Sequence, residues 1–126
     1  LKQKNPNIEI VGADPYGSIL GGGDDIHPYK VEGIGYDFFP DVLDNSLVDK
    51  YIKVNDENSF DMARQLIKKE GLLCGGSSGT VVWAALQTAQ KLKQGQNCLC
   101  ILADGIRNYM SKFVADEWME KNNFKK

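Results

Sequence analysis

The sequence has 126 residues, 42% of them hydrophobic and 25% charged, which is the composition of an ordinary folded domain. Its 15 Lys and Arg residues and 17 Asp and Glu residues give a net charge of −2 and form no basic block, which argues against a nucleic-acid partner. Apolar runs are far shorter than the roughly 20 residues that cross a bilayer, so the sequence predicts no membrane span and no secretory signal.

The cysteines and the histidine give little sign of a metal site. Cys74, Cys98 and Cys100 are an odd number and lack the C-x-x-C spacing of zinc and redox motifs. His27 is the single histidine and adds no further set of ligands. We therefore predict no metal site, three buried free thiols and a cytoplasmic location.

The first part of the chain is predicted to hold a strand and a long loop. A polar segment at the N-terminus is typical of the end of a helix, and Ile8, Ile10 and Val11 then predict a strand that stops at Asp14 and Pro15. Residues 15–40 are rich in glycine and show no sustained period, which predicts an irregular loop. In a compact domain, a loop of this length is usually functional or mobile.

Two helices are predicted in the middle of the chain, after an apolar segment at residues 46–54. Asn55 or Asp56 can cap the first helix, and Gly71 ends it. Its inward stripe consists of Phe60, Ala63, Leu66 and Ile67. Ser77 or Ser78 can cap the second helix, and Gly95 closes it. Its broad apolar face, which we expect to pack on a sheet, consists of Val81, Val82, Ala85, Leu86, Ala89 and Leu92.

The last part of the chain is predicted to be a buried strand and one amphipathic helix. NCLCILADG, residues 97–105, has the composition of a buried strand that ends in a turn. The helix that follows is predicted to turn Met110, Phe113 and Val114 inward and Asp116, Glu117 and Glu120 outward. Strands that alternate with helices predict an α/β fold, with an open parallel sheet and flanking helices.

Two glycine-rich segments are the candidates for function. LLCGGSSGT, residues 72–80, lies where a helix begins, and such a junction is where ligands bind in open α/β sheets. Three interpretations remain open for it: a helix cap, a phosphate-binding loop that lacks both common phosphate motifs, or a polar anchor for an aromatic cofactor. In EGIGYDFFP, residues 32–40, Gly33 and Gly35 precede Tyr36 and Asp37, which suits either an ordinary turn or a flexible binding loop.

Three motifs together carry a family resemblance. VEGIGYDFFP, LLCGGSSG and ILADGIRNYMSKF resemble, in order and spacing, the closing part of the catalytic core of cystathionine β-synthases. These enzymes form a group within the fold type II pyridoxal-phosphate enzymes, to which cysteine synthase also belongs. The resemblance covers nearly the whole chain from GADPYGSIL onward, and Tyr36 and Asp37 after the GIG segment favour the animal enzymes.

The resemblance implies a cofactor, a reaction and a set of site residues. Ser77 would donate a hydrogen bond to, or accept one from, the pyridine nitrogen of pyridoxal 5′-phosphate, with Gly75 and Gly76 in the same cofactor-binding loop. Gly33, Gly35 and Tyr36 would line the substrate cleft. The implied reaction is a β-replacement that condenses L-serine with L-homocysteine to cystathionine, a transsulfuration step in cysteine biosynthesis. A cysteine synthase that uses sulfide and a non-catalytic α/β nucleotide-binding module are the alternatives.

The same resemblance implies that other segments are needed for activity. Residues 1–126 would be the C-terminal segment of the catalytic domain, and the Schiff-base lysine and phosphate-binding loop would precede them. None of Lys30, Lys50 or Lys53 has the sequence context of that lysine. The haem ligands of the animal enzyme and a regulatory module would also lie outside this chain. We therefore expect the chain alone to be inactive and the intact enzyme to be a homodimer or larger homo-oligomer.

Overall fold

The computed structural model describes residues 1–124 and contains a small parallel sheet with helices beside it. Strand β1 is Val11–Pro15 and strand β2 is Lys50–Val54. The two strands are parallel, and their register places Val11 opposite Lys50 and Pro15 opposite Val54. The predicted α/β class with a parallel sheet is confirmed.

Strand β1 begins later than its apolar residues suggest. The Asp49 carboxylate accepts a hydrogen bond from the Ile10 N–H at 2.6 Å and forms an ion pair with Lys2. These interactions lower the pKa of Asp49, chiefly through the Ile10 N–H and then through Lys2. The chain before β1 forms turns, so the prediction of a helix end there is wrong.

The connection between the two strands is irregular, as predicted for residues 15–40. Its one regular element is a 3-10 turn at Asn45–Leu47. Val31, inside this connection, is buried in the main apolar cluster, so the loop is attached to the core. The attachment limits how far the glycine-rich segment can move.

Helix α1, Asp56–Gln65, has the predicted boundaries and buried stripe. The Asn55 side chain accepts a hydrogen bond from the Asn58 N–H at 2.8 Å, which confirms the cap. The helix continues as a wider π-turn over Leu66–Glu70 and ends at Gly71, whose φ of 68° is the left-handed conformation that glycine adopts without strain. Phe60 and Ala63 are buried, as predicted.

Helix α2, Gly76–Ala89, begins and ends differently from the prediction. Gly75 is its N-cap, so Ser77 and Ser78 lie inside the first turn and do not cap the helix. The helix ends at Ala89 rather than near Gly95. It packs against α1 and both strands, but its fully buried positions are occupied by small residues and not by the predicted apolar face. These buried residues are Gly76, Ser77, Ser78, Gly79, Thr80 and Ala84.

The C-terminal part departs most from the prediction. Residues 97–105 form no strand: Leu99 is 86% exposed, and the only pairing recorded there in the described chain is a single bridge between Gly105 and Cys74. A strand needs a neighbour for its N–H and C=O groups, and neither β1 nor β2 pairs with residues 97–105 within the described chain. Cys98 in this segment is exposed and Cys100 is only partly buried, which corrects the prediction of three buried thiols; Cys74 is buried as predicted.

The predicted last helix is divided into two short elements. A 3-10 turn covers Ile106–Tyr109, and helix α3 covers Asp116–Lys121. Between them, the Arg64 guanidinium from α1 donates hydrogen bonds to the carbonyl oxygens of Phe113 and Val114. This long-range contact occupies carbonyl groups that a continuous helix would use. Tyr109 is buried in place of Met110, which is 59% exposed.

An aromatic cluster joins these elements. Phe60 of α1 stacks on Phe113 with ring centroids 5.5 Å apart, and the Trp118 ring meets Phe60 edge-on at 5.3 Å. Tyr109 lies 5.5 Å from Phe113. No helix within residues 1–124 is both long enough and apolar enough to cross a membrane.

Candidate functional site

The segment that leads into α2 is held against the segment before the 3-10 turn. The Gly75 N–H donates to the Asp104 carbonyl at 3.0 Å, and the Ile106 N–H donates to the Leu73 carbonyl at 3.0 Å. Together with the bridge between Cys74 and Gly105, these bonds fix the start of α2 relative to residues 104–106. The loop is therefore ordered by backbone bonds before any ligand is considered.

The glycines of this loop are required by the protein's own packing. A Cβ on Gly75 would lie 2.9 Å from Cε2 of Tyr109 and still closer to Oδ1 of Asp104. A Cβ on Gly76 would lie 2.8 Å from Cε1 of Phe60. Real Cβ atoms essentially never approach other atoms this closely, so a larger residue at either position would force its neighbours to shift: Asp104 and Tyr109 at Gly75, and Phe60 at Gly76.

The two serines bring hydroxyl groups to a helix N-terminus that has no side-chain cap. Gly75 has no side chain to bond the first N–H groups of α2. Ser77 is 5% exposed, and Ser78 is completely buried with no hydrogen-bond partner for its Oγ among the described residues. A buried unpartnered hydroxyl is costly, and free N–H groups at a helix N-terminus attract acceptors.

Cys74 borders this helix start and is a poor nucleophile. Burial raises the pKa of its thiol, and the neighbouring Ser78 hydroxyl offsets that rise only in part. Sulfur is a weak acceptor, so this contact does not satisfy the Ser78 hydroxyl. The thiolate that would make Cys74 reactive is therefore disfavoured.

The GIGYD segment, residues 33–37, is fixed through Ser18. The Tyr36 N–H donates to Oγ of Ser18 at 3.0 Å, and the Ile19 N–H donates to the Tyr36 carbonyl at 2.9 Å. The Ser18 carbonyl in turn accepts a hydrogen bond from Nζ of Lys53, which also pairs with the buried Asp14 at 2.6 Å. Tyr36 thus has a fixed backbone, while its side chain remains half exposed.

Gly33 and Gly35 have the same backbone conformation but different surroundings. Their φ angles are 79° and 78°, a region that L side chains rarely adopt. Nothing lies within 4 Å of a Cβ on Gly33, whereas one on Gly35 would lie 2.5 Å from Oη of Tyr29 and 2.6 Å from Cγ of Pro15. Gly35 is therefore needed for packing as well as for conformation.

Two further contacts attach the segment before Gly33. The Asp56 carboxylate, at the start of α1, accepts hydrogen bonds from the N–H groups of Lys30 and Val31 at 2.6 and 2.9 Å. The Glu32 carboxylate forms an ion pair with Lys112 of the C-terminal part. The loop is therefore attached both to helix α1 and to the C-terminal part of the chain.

A cleft of about 370 Å³ lies beside the GIGYD segment. Gly35, Tyr36 and Asp37 line it together with His27. Of the residues predicted for substrate, Gly35 and Tyr36 border this cleft and Gly33 does not. The residues predicted for the cofactor, Gly75, Gly76 and Ser77, lie at the start of α2 and border neither this cleft nor the smaller one next to it.

Asp104 and Tyr109 were not predicted as site residues, although they contact Gly75. They lie within ILADGIRNYMSKF, and their approach to Gly75 depends on the pairing of residues 72–75 with residues 104–106. No group of three metal-binding side chains occurs within residues 1–124.

Comparison with known proteins gives one family. The family model described as pyridoxal-phosphate dependent enzyme matches residues 1–104. Cystathionine beta-synthase of Rattus norvegicus is 53% identical over 131 aligned positions, which cover 100% of this chain and 23% of the relative. The chain thus spans about a quarter of that curated relative's length.

Two solved structures have the same fold over most of the chain. The O-acetylserine dependent cystathionine beta-synthase of Helicobacter pylori gives a TM-score of 0.82 at 43% identity, over 89% of this chain and 36% of that one. Cysteine synthase of Entamoeba histolytica gives 0.83 at 32% identity, over 88% and 33%.

Proposed function

The chain belongs to the pyridoxal-phosphate dependent enzymes, and from this premise we propose that the whole protein condenses L-serine with L-homocysteine to cystathionine. The observation that carries this proposal is the 53% identity to the rat cystathionine beta-synthase along the full chain. Identity to the cysteine synthase structure is lower, at 32%. The proposed reaction is a β-replacement and a transsulfuration step in cysteine biosynthesis.

We propose that the start of α2 binds the cofactor ring. Ser77 would place its nearly buried hydroxyl at the pyridine nitrogen, and Gly75 and Gly76 would form the adjoining backbone. When bound, pyridoxal 5′-phosphate withdraws electrons from the substrate's α-carbon, which lets a group leave the β-carbon. A neutral serine hydroxyl does not hold the ring nitrogen protonated as a carboxylate does, so it suits a moderate electron demand.

The uncapped helix end supports this assignment. The first N–H groups of α2 have no side-chain acceptor within the described chain. An acceptor-bearing ligand at this point would satisfy groups that the fold itself leaves unpaired.

We propose that the GIGYD segment binds the amino-acid substrate. Tyr36 has a backbone fixed by Ser18 and a side chain half open to the neighbouring cleft, so it can contact a ligand without first being ordered. Gly35 lets the segment approach Tyr29 closely, and Gly33 keeps the backbone open beside it.

The remaining parts of the site are proposed to lie outside this chain. The chain covers 23% of the rat relative, which leaves ample sequence for the Schiff-base lysine, the phosphate-binding loop and the ligands of any haem. His27 and Cys74 are not proposed as haem ligands. We further propose a cytoplasmic enzyme that works as a homodimer or larger homo-oligomer.

The test is a reaction with the full-length protein. Serine, homocysteine and pyridoxal phosphate are mixed with it, and cystathionine is sought by mass spectrometry. We expect cystathionine only when the cofactor is present. If only O-acetylserine replaced serine, the donor would be wrong; if only sulfide were accepted, the protein would be a cysteine synthase. If the cofactor did not bind, a non-catalytic module would be favoured.

Paired substitutions test the role of Ser77. We expect Ser77→Asp to reduce turnover about 100-fold, a loss on the order of that seen when one preorganised active-site group is removed. Ser77→Ala should weaken cofactor binding, whereas Ser78→Ala should leave it unchanged and should not lower the melting temperature, because it removes a buried unpaired hydroxyl. Wild-type turnover in Ser77→Asp would remove Ser77 from the site.

A further inference from the structure

A hydrogen bond between Tyr109 and Asp104 lies directly against the start of α2. The Tyr109 hydroxyl donates to Oδ2 of Asp104 at 2.6 Å. The Tyr109 ring is buried and packs on Phe113, so the core fixes the position of the hydroxyl. Asp104 is itself exposed, and its hydrogen bond to Tyr109 orients a carboxylate that solvent would otherwise leave free to rotate.

Asp104 contacts Gly75 through two of its groups, its backbone carbonyl and its carboxylate. Its carbonyl accepts the Gly75 N–H at 3.0 Å, and its carboxylate lies where a Gly75 Cβ would have to be. The Tyr109 ring edge closes the same position, 2.9 Å from such a Cβ. Gly75 is therefore held on one side by both residues of the pair, two positions before Ser77.

The Tyr109 hydroxyl remains available as a donor to Asp104. The hydrogen bond to Asp104, followed by burial, raises the pKa of Tyr109 to about 12. The phenol therefore remains protonated, and remains a donor, across the physiological range. The carboxylate near the N-terminus of α2 is also favoured by the helix dipole.

Tyr109 also contacts Lys112, the residue that attaches the chain just before the GIGYD segment. Nζ of Lys112 lies 5.8 Å from the Tyr109 ring centroid, and the same ammonium group pairs with Glu32, just before the GIGYD segment. Tyr109 thus lies between the residues that hold the two glycine-rich segments. Removal of the Tyr109 hydroxyl should affect the start of α2 first, because the hydroxyl bonds Asp104, whereas Lys112 contacts only the ring.

We propose that Tyr109 is a positioning residue for the cofactor, which acts through Asp104 and Gly75 to set the direction of the Ser77 hydroxyl. The inference rests on the proposed function, because it assigns the cofactor ring to the start of α2. It adds two residues, Asp104 and Tyr109, that hold the ring-binding loop without touching the ring. Their chemistry is that of an oriented carboxylate and its phenol donor.

The experiment uses the full-length protein and the substitution Tyr109→Phe. The readouts are the Kd for pyridoxal phosphate, measured on the cofactor-free protein, and the absorption maximum of the bound cofactor. We expect Kd to rise about tenfold, the size of effect that follows loss of a hydrogen bond to a charged group, and the maximum to shift. Tyr51→Phe is the matched control. It also removes the hydrogen bond of a phenol, 2.7 Å long, but that bond goes to Asn45 in the connection between β1 and β2 and not to residues 104–106.

Two substitutions at Asp104 separate positioning from charge and from folding. Asp104→Asn keeps an acceptor for the Tyr109 hydroxyl, so we expect the cofactor Kd and absorption maximum to stay near wild type. Asp104→Ala removes the acceptor and should reproduce Tyr109→Phe. Because Asp104 is exposed, this pair decides the matter even if Tyr109→Phe fails to fold.

Each result supports or overturns the inference. A shifted maximum and weaker binding in Tyr109→Phe and Asp104→Ala, but not in Asp104→Asn or Tyr51→Phe, would support it. An unchanged Kd and maximum, with only a lower melting temperature, would reduce Tyr109 to a structural residue and overturn it. If the wild-type protein bound no cofactor, the proposed function would fail and this inference with it, which is a different result from binding that Tyr109→Phe leaves intact.

Discussion

Replacing Gly79 by Ala tests whether the α1 and α2 backbones must touch. Gly79 lies in the first turns of α2, and a Cβ there would lie 2.6 Å from the backbone nitrogen of Ala63 and closer still to the carbonyl oxygen of Ser59. Both neighbours are backbone atoms of α1, which cannot turn aside as a side chain can. The helices would have to separate to admit one methyl group.

The cost follows from that separation. The 2.6 Å distance falls about 0.8 Å short of the 3.4 Å at which ordinary contact begins, so at least that shift is needed. Overpacking of a core typically costs about 1–3 kcal/mol, and alanine regains about 1 kcal/mol of helix propensity over glycine. Because two helix backbones must move apart, we take the overpacking cost at its upper value of about 3 kcal/mol. After the gain in helix propensity, we expect the free energy of unfolding to fall by roughly 2 kcal/mol.

The assay is thermal unfolding of the full-length protein followed by circular dichroism. Gly105→Ala is the matched control, because a Cβ there meets only the Leu73 carbonyl, at 3.5 Å. We expect Gly79→Ala to lower the melting temperature by several degrees and the control to leave it nearly unchanged. A melting temperature for Gly79→Ala at or above wild type would refute the packing explanation, since helix propensity alone would then decide the outcome.

Two further predictions concern Gly35 and Tyr109. Gly35→Ser should reduce soluble yield and melting temperature well beyond Gly33→Ser, because both share a positive φ but only Gly35 is enclosed by Tyr29 and Pro15; equal losses would contradict the role of packing. The folded pKa of Tyr109, about 12, lies above its ordinary value of 10.0, so its stabilisation is complete below pH 10 and is lost as pH rises towards 12. In an ultraviolet titration that follows tyrosinate formation, the tyrosine that ionises at the highest pH should therefore be missing from Tyr109→Phe. If the missing tyrosine ionised near pH 10 instead, the assignment would be wrong.

Elements set by local chemistry were predictable from the sequence. Helix α1 has a capping Asn55, a regular buried stripe and Gly71 in the left-handed conformation, and each of these signals acts within a few residues. The parallel sheet was expected from the alternation of strands and helices along the chain, although the connection between β1 and β2 itself holds no α-helix. The irregular loop at residues 15–40 was equally visible in its glycine content.

Elements that depend on distant partners were not predictable. Ser77 and Ser78 are good capping residues, yet the bond from Gly75 to Asp104 moves the start of α2 to a position before them. Arg64 binds carbonyl groups some fifty positions away and so divides the last predicted helix. Residues 97–105 have the composition of a strand, but pairing requires a neighbour that composition does not reveal.

The same division applies to the candidate site. Both glycine-rich segments were found from sequence, because glycine, serine and tyrosine in short loops are a local signal. Ser18, Asp104 and Tyr109, which hold those segments in place, lie away from them along the chain and gave no such signal. The roles assigned to Ser77 and Tyr36 stay predictions until cofactor and substrate binding are measured.

The small residues at the start of α2 restrict how a ligand can reach it. Gly75 faces Asp104 and Tyr109, Gly76 faces Phe60, and Gly79 faces the backbone of α1, so three sides are closed by the protein's own atoms. The remaining direction runs along the helix axis, where the first N–H groups point and no side chain caps them. Ser77 lies in this first turn, whereas Gly79 packs on the backbone of α1, and this is why substitutions at Ser77 should act on cofactor binding while those at Gly79 act on stability.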